Sequence, residues 1–453
     1  MLESLYTAEE MRAAEAGHDV PTLMERAGRA VAEEVLRRYP DARSVGAVCG
    51  GGANGGDGRI ALELLRAAGR EAHEGANGDV LIDALFGTGF HGEPRPDAAA
   101  LIDRLNASGR PVVAVDLPSG VNADSGEIAS VAVCADVTVT MHGRKVGLEI
   151  APGRFHAGEV VVADIGLEQR ETEHRLVTEG ILDLVPRKGE RDNKYSAGAV
   201  LVVGGSPGMS GAVTLSASAV LRADAGYVTV CSDVEPLVLE AVKRPLDEVW
   251  EALPRHRALA VGPGLGRTPD RQALVRRLLE ETELPVVVDA DGLFGLEPFA
   301  RSAPTVLTPH SGELARLLGY DSAWVDAHRL AVALEAVEEF DCICLLKGAD
   351  TIVAAPEGAL VCHLEHPSLA TAGTGDVLTG VIGAFLAKGV EARLAAAAAA
   401  VTCDLAAGLG PDRGLVASDV VSQLPRALST WQRPRAEPGV APGNRENRGD
   451  GPV

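Results

Sequence analysis

The sequence predicts an α/β protein of two domains, each built on a parallel β-sheet layered by helices. Short segments rich in valine, isoleucine and leucine alternate with longer helical patterns along the chain, which favours parallel strands joined by helices. Several of these apolar segments run into glycine-rich turns, the layout of sheets that hold phosphates or nucleotides. Residues 168–190 are charged and lack a periodic pattern, so we place the domain boundary near residue 170.

Composition argues against several classes of partner. The net charge is −22 and only six of the 42 basic residues are lysine, a balance that disfavours nucleic acid and anionic membranes. No apolar stretch approaches the ~20 residues of a membrane span, and the acidic N-terminus lacks a signal-peptide layout, so we expect a cytoplasmic protein. The seven cysteines are scattered, as in a reducing compartment. An acidic, lysine-poor composition also suggests a salt-adapted organism, with high-GC composition drift as the alternative.

The first half of the chain is predicted to alternate helices and strands around polar loops. The predicted elements are a helix over 11–38 with a break near 19–21, strand Ser44–Cys49, a helix over 59–68, a strand over 79–86, a helix over 98–108 and strands over 111–116, 136–140 and 159–165. Three of these strands lead into loops that carry Asn54, Asp83, Asp116 and Ser119, and the carboxyl ends of parallel strands form a ligand crevice. Asp83 lies in an apolar run, so its carboxylate needs a buried partner, either a cation or a helix or loop cap.

The second half repeats the pattern with more glycine loops. The predicted elements are strands over 198–203, 227–231, 258–261, 285–289, 305–308 and 341–346, a hairpin of strands over 351–355 and 360–363, and helices over 213–225, 377–388 and 391–407. The last two helices follow a turn that contains Gly373, Gly375 and Asp376. Free amides at the start of a helix form an anion site, and a carboxylate beside it suits phosphoryl transfer, with an ordinary helix cap as the alternative.

Four further residues at strand ends are candidates with two interpretations each. His310 is either a ligand contact or a structural residue, and Lys347 is either a phosphate contact or a surface lysine. Asp289 and Asp291 either position magnesium through water or cap the following turn. A metal site at Cys362, His363 and His366 is disfavoured because their spacing matches no zinc pattern.

These motifs carry a resemblance to a known family. The second half resembles the ADP/ATP-dependent NAD(P)H-hydrate dehydratases, a branch of the ribokinase-like superfamily, and the first half resembles the NAD(P)H-hydrate epimerases. The matching segments of the second half are Gly204-Gly-Ser206 with Gly211-Ala212, Val261-Gly-Pro-Gly-Leu-Gly266, Leu307-Thr-Pro-His-Ser-Gly-Glu313, Lys347-Gly-Ala-Asp-Thr351 and Ala372-Gly-Thr-Gly-Asp-Val-Leu-Thr-Gly380. Those of the first half are Leu23-Met-Glu-Arg-Ala-Gly28, Asn54-Gly-Gly-Asp-Gly58, Asp83-Ala-Leu-Phe-Gly-Thr-Gly89 and Val115-Asp-Leu-Pro-Ser-Gly-Val-Asn122. In this order the two halves look like a bifunctional nicotinamide-nucleotide repair enzyme.

The resemblance implies a fold and a division of the chain. It implies a Rossmann-like three-layer sheet over residues 1–170 and a ribokinase-like α/β/α sheet over 171–429, while composition predicts a disordered tail over 430–453. Between Ala68 and Asp79 only ten residues remain where the family has a further strand and helix, so we expect a trimmed first sheet. The family's usual Asn-Asn pair is Ala53-Asn54 here, which keeps the cation ligand but loses one side chain.

The resemblance also implies an activity, with Mg²⁺, K⁺ and ADP as cofactors or co-substrate. The first domain would interconvert the R and S epimers of NAD(P)H hydrate, and the second would dehydrate the S epimer by phosphorylating its C6 hydroxyl and eliminating phosphate. The implied acid/base residues are Asp116 and Asp376. The implied potassium ligands are Asn54, Asp83 and Ser119. The implied hydrate contacts are Ala53, Asn54, Gly55, Gly56, Asp57, Gly87, Thr88, Gly89, Phe90, His91, Gly92, Glu93, Asp116, Ala212, Gly264, His310 and Asp376. The implied nucleotide contacts are Lys347, Gly348, Ala349, Asp350, Thr351 and Gly375.

Two other functions stay open at this point. A vitamin-precursor kinase shares the second fold and a Gly-Thr-Gly-Asp turn, although the fused first domain and the loop at His310 argue against it. The first domain could instead be a non-catalytic binding module, which the deletion after Ala68 favours and the retained Asn54, Asp83 and Asp116 disfavour. We also expect a homo-oligomer with NAD(P)H hydrate and ADP as its small-molecule ligands.

Overall fold

The computed structural model describes residues 1–430, and the tail predicted to be disordered lies outside the described residues from position 431 onward. The strands are β1 Leu2–Tyr6, β2 Ser44–Cys49, β3 Glu71–Glu74, β4 Val80–Ala84, β5 Val112–Val115, β6 Val137–Met141, β7 Arg144–Lys145, β8 Glu159–Ala163, β9 His174–Val177, β10 Ala199–Val203, β11 Tyr227–Cys231, β12 Val242–Arg244, β13 Ala258–Val261, β14 Val286–Val288, β15 Thr305–Leu307, β16 Ile343–Leu346, β17 Asp350–Ala355 and β18 Gly358–His363.

The helices cover these strands on both faces, as an α/β fold requires. They are α1 Ala8–Glu15, α2 Val20–Arg38, α3 Ala53–Ala67, α4 Pro96–Asn106, α5 Arg154–Ala157, α6 Ser210–Arg222, α7 Val249–Ala252, α8 Pro269–Glu281, α9 Ser311–Leu318, α10 Ser322–Ala327, α11 Arg329–Phe340, α12 Thr374–Ala387, α13 Ala392–Gly408 and α14 Ala417–Thr430.

The first sheet has six parallel strands in the order β3-β2-β4-β5-β6-β8. Its apolar strands pack on α2 and α3 on one side, through Leu23 and Leu62, and on α4 on the other, through Ile102. The expectation of a trimmed sheet was half right. The short segment after α3 still forms the edge strand β3 but has no helix, because the four strand residues and their turns use up the remaining chain.

The second sheet has twelve strands in the order β12-β11-β10-β13-β14-β15-β16-β17-β18-β9-β1-β7. Side chains alternate between its faces, since Val200 and Val202 pack with the alanine-rich α13 and with α12, whereas Leu201 and Val203 pack with α8. The sheet is therefore the central layer of an α/β/α sandwich. It is mixed rather than all parallel, because β17 is antiparallel to both of its neighbours.

Three short strands that the sequence did not predict cross the expected boundary near residue 170. Strand β1 at the N-terminus pairs with β9 in antiparallel fashion and with β7 in parallel fashion, placing Tyr6 opposite Lys145. Strand β9 in turn pairs with β18 of the hairpin. Pieces of the first half of the chain thus extend the second sheet, and Lys145 is one of their residues.

Two glycine turns begin their helices earlier than predicted. Helix α3 begins at Ala53, so the second half of the glycine loop is already helical, and a Cβ at Gly55 would collide with the carbonyl oxygen of Gly50. Helix α12 begins at Thr374 after Gly373, whose φ of 92° is a left-handed conformation suited to glycine. Asp376 is therefore a first-turn residue and not the cap that the pattern predicted.

Two candidate active sites

A cavity of about 600 Å³ opens at the carboxyl ends of β2, β4 and β5. This is where a parallel sheet places its ligand crevice. The cavity brings together most of the residues expected to contact the hydrate, namely Ala53, Asn54, Asp57, Gly87, Thr88, Gly89, Phe90, His91 and Asp116. The other four contacts expected from the first half of the chain are outside its lining, namely Gly55, Gly56, Gly92 and Glu93. Glu15 and Met11 also line the cavity, although the sequence did not single them out.

The residues expected to bind potassium lie side by side behind this cavity. Asp83 is fully buried, and its carboxylate accepts hydrogen bonds from the Ser119 hydroxyl at 2.6 Å and the Ser119 amide at 2.7 Å. The Asn54 side chain donates to the Phe86 carbonyl at 2.8 Å, and the Phe86 amide donates to the Ser119 hydroxyl. Burial raises the pKa of Asp83 to about 6, because none of these neighbours carries a positive charge.

This oxygen-rich set suits a weakly bound alkali cation better than a transition metal. Carboxylate, hydroxyl, amide and carbonyl oxygens are hard ligands. Within residues 1–430, no group of three or more Asp, Glu, His or Cys side chains is arranged to hold a metal ion. A single buried carboxylate among neutral oxygens matches one positive charge.

Asp116 follows β5 and is held by a buried lysine. Its φ of 67° is unusual for a residue with a side chain, and its carboxylate lies 2.6 Å from the Lys145 ammonium. Lys145 is wholly buried and also donates to the Thr140 hydroxyl and the Met141 carbonyl. Sequence reasoning missed Lys145, although one of only six lysines beside a strand end was an available signal.

A second carboxylate of the same cavity has no such partner. Asp57 is buried, and its Oδ1 has no hydrogen-bond partner. Burial, with Asp116 and Glu15 nearby, raises the pKa of Asp57 to about 8. The pKa of Glu15 is also raised, by burial and by Asp116, while Lys145 opposes the shift. The first cavity thus holds one lysine-bound carboxylate and one that carries a proton at neutral pH.

The second candidate site lies at the carboxyl ends of β14 and β16, facing the start of α12. Asp289 follows β14, and its buried carboxylate binds the Lys347 ammonium at 2.9 Å and the Thr379 hydroxyl at 2.7 Å. Gly375 in the first turn of α12 approaches this pair so closely that a Cβ there would lie 3.4 Å from Lys347 Nζ. The free amides of the helix start therefore face a positive charge on the opposite wall.

Asp376 is the unpaired carboxylate of this site. Ser216 of α6 fixes its backbone by donating to its carbonyl at 2.8 Å, but its own carboxylate makes no hydrogen bond or ion pair with the described residues. Burial and the charge of Asp289 raise the pKa of Asp376 to about 7, and Lys347 opposes the shift. At neutral pH this group therefore both gives and takes protons readily.

The other residues expected around Asp376 differ in whether their side chains are free to contact a ligand. Ala212 and Gly264 are neighbours, since a Cβ at Gly264 would lie 3.2 Å from that of Ala212. His310 caps α9, with its Nδ1 accepting from the amides of Gly312 and Glu313, and its ring is exposed. Asp291 is bound to Arg267 at 2.6 Å. His310 is thus a helix cap whose ring remains accessible, and its contact with a ligand stays a prediction.

The loop from Lys347 to Thr351 is held partly by the first half of the chain. Asp350 is buried, binds Arg329 at 3.0 Å and accepts from the Ala151 amide at 2.7 Å. Arg154 donates to the Ala349 carbonyl at 2.7 Å, and Thr351 donates to the Gly348 carbonyl. The Asp350 carboxylate is therefore already occupied, which leaves Lys347 and backbone groups as the accessible polar atoms of the loop.

The two histidines of the disfavoured metal site lie beside different carboxylates. His363 Nε2 is 2.9 Å from the buried Glu149 carboxylate, and His366 Nδ1 is 3.2 Å from the Asp404 carboxylate. No helix within residues 1–430 is long and apolar enough to cross a membrane.

The two sheets, with an acid and lysine pair at the carboxyl ends of each, define a two-domain α/β enzyme. The family model described as NAD(P)H-hydrate dehydratase matches residues 200–426. The family model described as YjeF-related protein N-terminus matches residues 20–74 and 69–147. Each model thus covers one of the two candidate sites.

Full-length relatives identify the family. The chain is 35% identical to the bifunctional NAD(P)H-hydrate repair enzyme of Moorella thermoacetica, over 94% of this chain and 96% of that relative. It is 35% identical to the enzyme of the same name from Coxiella burnetii, over 92% and 96%, and 32% identical to that of Escherichia coli, over 90% and 89%. The chain belongs to the family of bifunctional NAD(P)H-hydrate repair enzymes.

A solved structure matches the second domain. The ADP/ATP-dependent NAD(P)H-hydrate dehydratase from Bacillus subtilis, co-crystallised with ATP and Mg²⁺, superposes with a TM-score of 0.51 at 27% identity. The match covers 56% of this chain and 98% of that one. The ribokinase-like architecture expected for the second half is thereby confirmed.

Proposed function

We propose that this chain interconverts the R and S epimers of NAD(P)H hydrate at Asp116 and dehydrates the S epimer, with ADP, at Asp376. The observation that carries the proposal is Asp376 itself, an unpaired carboxylate with a pKa of about 7 in the first turn of an apolar helix. Such a group takes a proton from a hydroxyl while the amides beside it hold the incoming phosphoryl group. Family membership supports the same pair of activities.

The dehydration follows from this geometry in two steps. Asp376 removes the proton of the C6 hydroxyl, the hydroxyl oxygen bonds to the terminal phosphorus of ADP, and AMP leaves. The C6–O bond then breaks with its electron pair on the departing phosphate, which takes the proton from C5 as the C5–C6 double bond forms. The amides of residues 373–375 and the Lys347 ammonium stabilise the negative charge of the phosphoryl group.

The nucleotide would lie against Lys347, Gly348, Ala349, Thr351 and Gly375. We include Asp350 only through its backbone, because Arg329 occupies its carboxylate. Mg²⁺ would be held mainly by the phosphates of ADP and by water, as is common for this ion, because Asp289 and Asp291 are already bound to Lys347 and Arg267. The hydrate would contact Ala212, Gly264 and His310 around Asp376.

The first domain would bind K⁺ through Asn54, Asp83 and Ser119. The fully buried Asp83 without a basic neighbour supports this assignment. The ion would stabilise the turn from Leu85 to Gly87, since the backbone of Phe86 bonds both Asn54 and Ser119. That turn forms one wall of the cavity in which Asp116 would meet the hydrate ring.

The proposal also covers the domain boundaries, the location of the protein, its oligomeric state and its adaptation to salt. We assign residues 1–170 and 171–429 to the two catalytic units, although β1 and β7 belong to the sheet of the second. A cytoplasmic, homo-oligomeric enzyme from a salt-adapted organism agrees with the net charge of −22 and with free cysteines throughout the described chain. Equal unfolding midpoints in low and molar KCl would contradict the salt adaptation.

The test is to incubate the protein with mixed R and S NADH hydrate, Mg²⁺, K⁺ and ADP and to follow NADH absorbance. We expect NADH to return from both epimers. If only the S form is consumed beyond spontaneous epimerisation, the first domain is inactive. If neither is consumed, the proposed function is wrong, and a phosphorylated product that accumulates would indicate a small-molecule kinase instead.

A further inference from the structure

The two sites share an arrangement of charged side chains, and this arrangement suggests a role for Asp57 in the first site. In each, one lysine binds one carboxylate, Lys145 with Asp116 and Lys347 with Asp289. In each, a second carboxylate lines the same space without a cation of its own, Asp57 in the first and Asp376 in the second. The second carboxylate is the proton carrier in the dehydratase site proposed above.

We propose that Asp57 is the second proton-transferring residue of the first site, opposite Asp116, and that Lys145 is the positioning residue that holds Asp116. This inference rests on the proposed epimerase function and goes beyond it, because that function needs Asp57 only as part of the hydrate-binding wall. It also places Lys145, a residue of the second sheet, directly behind the first site.

The position of Asp57 is defined by packing, not by a hydrogen bond. It lies in the second turn of α3, where a Cβ at Gly55 would collide with Gly50 and one at Gly58 would lie 2.6 Å from Ala84 Cβ. The start of α3 therefore packs closely against the ends of β2 and β4. Asp57 lines the cavity with one carboxylate oxygen that no described residue satisfies, and a buried polar atom without a partner is costly unless a ligand supplies one.

The charges around Asp57 favour its protonated form. The groups that act on it are Asp116 and Glu15, both acidic, while Lys145, which is buried behind the cavity, is bound to Asp116. Two carboxylates whose environments differ in this way divide into an acid and a base. Asp57 is the acid and the lysine-bound Asp116 is the base.

Inversion at C6 needs one acid and one base on opposite faces of the ring. Asp57 gives its proton to the C6 hydroxyl, the C6–O bond breaks with its electron pair on the departing water, and the lone pair of N1 forms an iminium ion. Water then bonds to C6 from the other face and gives a proton to Asp116. The result is the opposite epimer with Asp57 ionised and Asp116 protonated, which is the state that the reverse reaction uses.

The test measures epimerisation without ADP, so that the second site is idle. Purified S hydrate is incubated with the full-length protein and K⁺, and the R form is followed chromatographically above the spontaneous rate. We expect Asp57→Asn to lower kcat by about 10²–10⁴-fold, the usual contribution of general acid catalysis, with little change in KM. Asp103→Asn, on the exposed surface of α4, is the matched control and should leave the rate unchanged.

Dehydration of S hydrate with ADP reports on folding in the same preparations. If Asp57→Asn raises KM at unchanged kcat, Asp57 only binds the hydrate and the inference is wrong. If the unsubstituted protein does not epimerise at all while still dehydrating the S form, the proposed epimerase function fails first. In H₂¹⁸O each turnover should place ¹⁸O at C6, and retention of ¹⁶O would contradict cleavage of the C6–O bond.

Lys145 is tested through kcat and KM of the same reaction. Lys145→Met removes the ammonium that lies 2.6 Å from the Asp116 carboxylate, so kcat should fall while KM changes little, and Lys145→Arg should restore kcat in part. Dehydration of S hydrate with ADP should be unchanged in both variants. An unchanged kcat in Lys145→Met would remove the positioning role.

Discussion

The two sites use the same pair of charges in opposite orientations. In the first site the lysine side chain is fully buried and the carboxylate of Asp116 is 12% exposed toward the cavity. In the second, the Lys347 side chain is 22% exposed and the carboxylate of Asp289 is 2% exposed. One site therefore presents a negative group to its ligand, backed by a lysine, and the other presents a positive group, backed by an aspartate.

This reversal matches the chemistry proposed for each site. Epimerisation at C6 needs a carboxylate in contact with the ligand to accept a proton, which is the role proposed for Asp116. Phosphoryl transfer needs positive charge and free amides facing a phosphate, which Lys347 and the start of α12 supply. The side of the ion pair that faces the crevice, more than the pair itself, therefore separates the two proposed activities.

The largest expected effect comes from removing the unpaired carboxylate of the second site. Asp376→Asn should lower the rate of ADP-dependent dehydration by about 10³-fold. The neighbouring carboxylates of Asp289 and Asp291 are already bound to Lys347 and Arg267, so neither is free to accept the hydroxyl proton. Epimerisation should be unchanged. The matched control is Asp270→Asn, an exposed residue in the first turn of α8. Dehydration that survives Asp376→Asn would show that the analogy with Asp57 is unfounded.

Breaking the two ion pairs should destabilise the protein unequally. Lys347→Met leaves Asp289 buried and unpaired, at a cost of about 3–5 kcal/mol. Lys145→Met should cost less, because the Asp116 carboxylate lines an open cavity where water can solvate it. Urea midpoints of both variants measure the difference. Asp289→Asn added to Lys347→Met should recover part of the loss, and a larger loss for Lys145→Met would reverse the comparison.

The unpaired carboxylates of Asp57 and Asp376 should make the free energy of unfolding depend on pH. Both pKa values are raised, so the neutral forms stabilise the fold at low pH, and this contribution is lost as pH rises from about 4 toward about 8 for Asp57 and about 7 for Asp376. Asparagine cannot ionise. Relative to the unsubstituted protein, Asp57→Asn should gain about 1 kcal/mol per pH unit in that window, measured by thermal melts at fixed ionic strength. A gain that is the same at pH 5 and pH 8 would contradict the assignment.

The smallest expected effect is that of potassium. The pKa of Asp83 is raised to about 6 by burial, so its neutral form is favoured at low pH and an ionised site is available for K⁺ above pH 6. Exchanging K⁺ for tetramethylammonium at equal ionic strength should lower the melting temperature at pH 7.5 and leave it unchanged at pH 5. Asp83→Asn should abolish the difference, and a K⁺ effect that persists in that variant would place the cation elsewhere.

Much of the fold was predictable because its strands are short apolar runs with clear ends. Strands β2 and β11 lie where the sequence placed them, and the strand over Val80–Ala84 differs only at its ends. The missed strands β1, β3, β7, β9 and β12 are short and carry charged residues, so local pattern could not separate them from loops. They exist because pairing across distant parts of the chain satisfies their backbone groups.

Local sequence features predict the α/β class, the two crevices at strand ends and most of the acids that line them, because periodicity and glycine turns are local properties of the chain. Which of these acids are paired depends on contacts that form only in the folded protein. Lys145 reaches Asp116 and Lys347 reaches Asp289 through contacts between residues 29 and 58 positions apart. Protonation depends on burial and on such neighbours, so the difference between a bound carboxylate and a proton carrier is a property of the folded molecule.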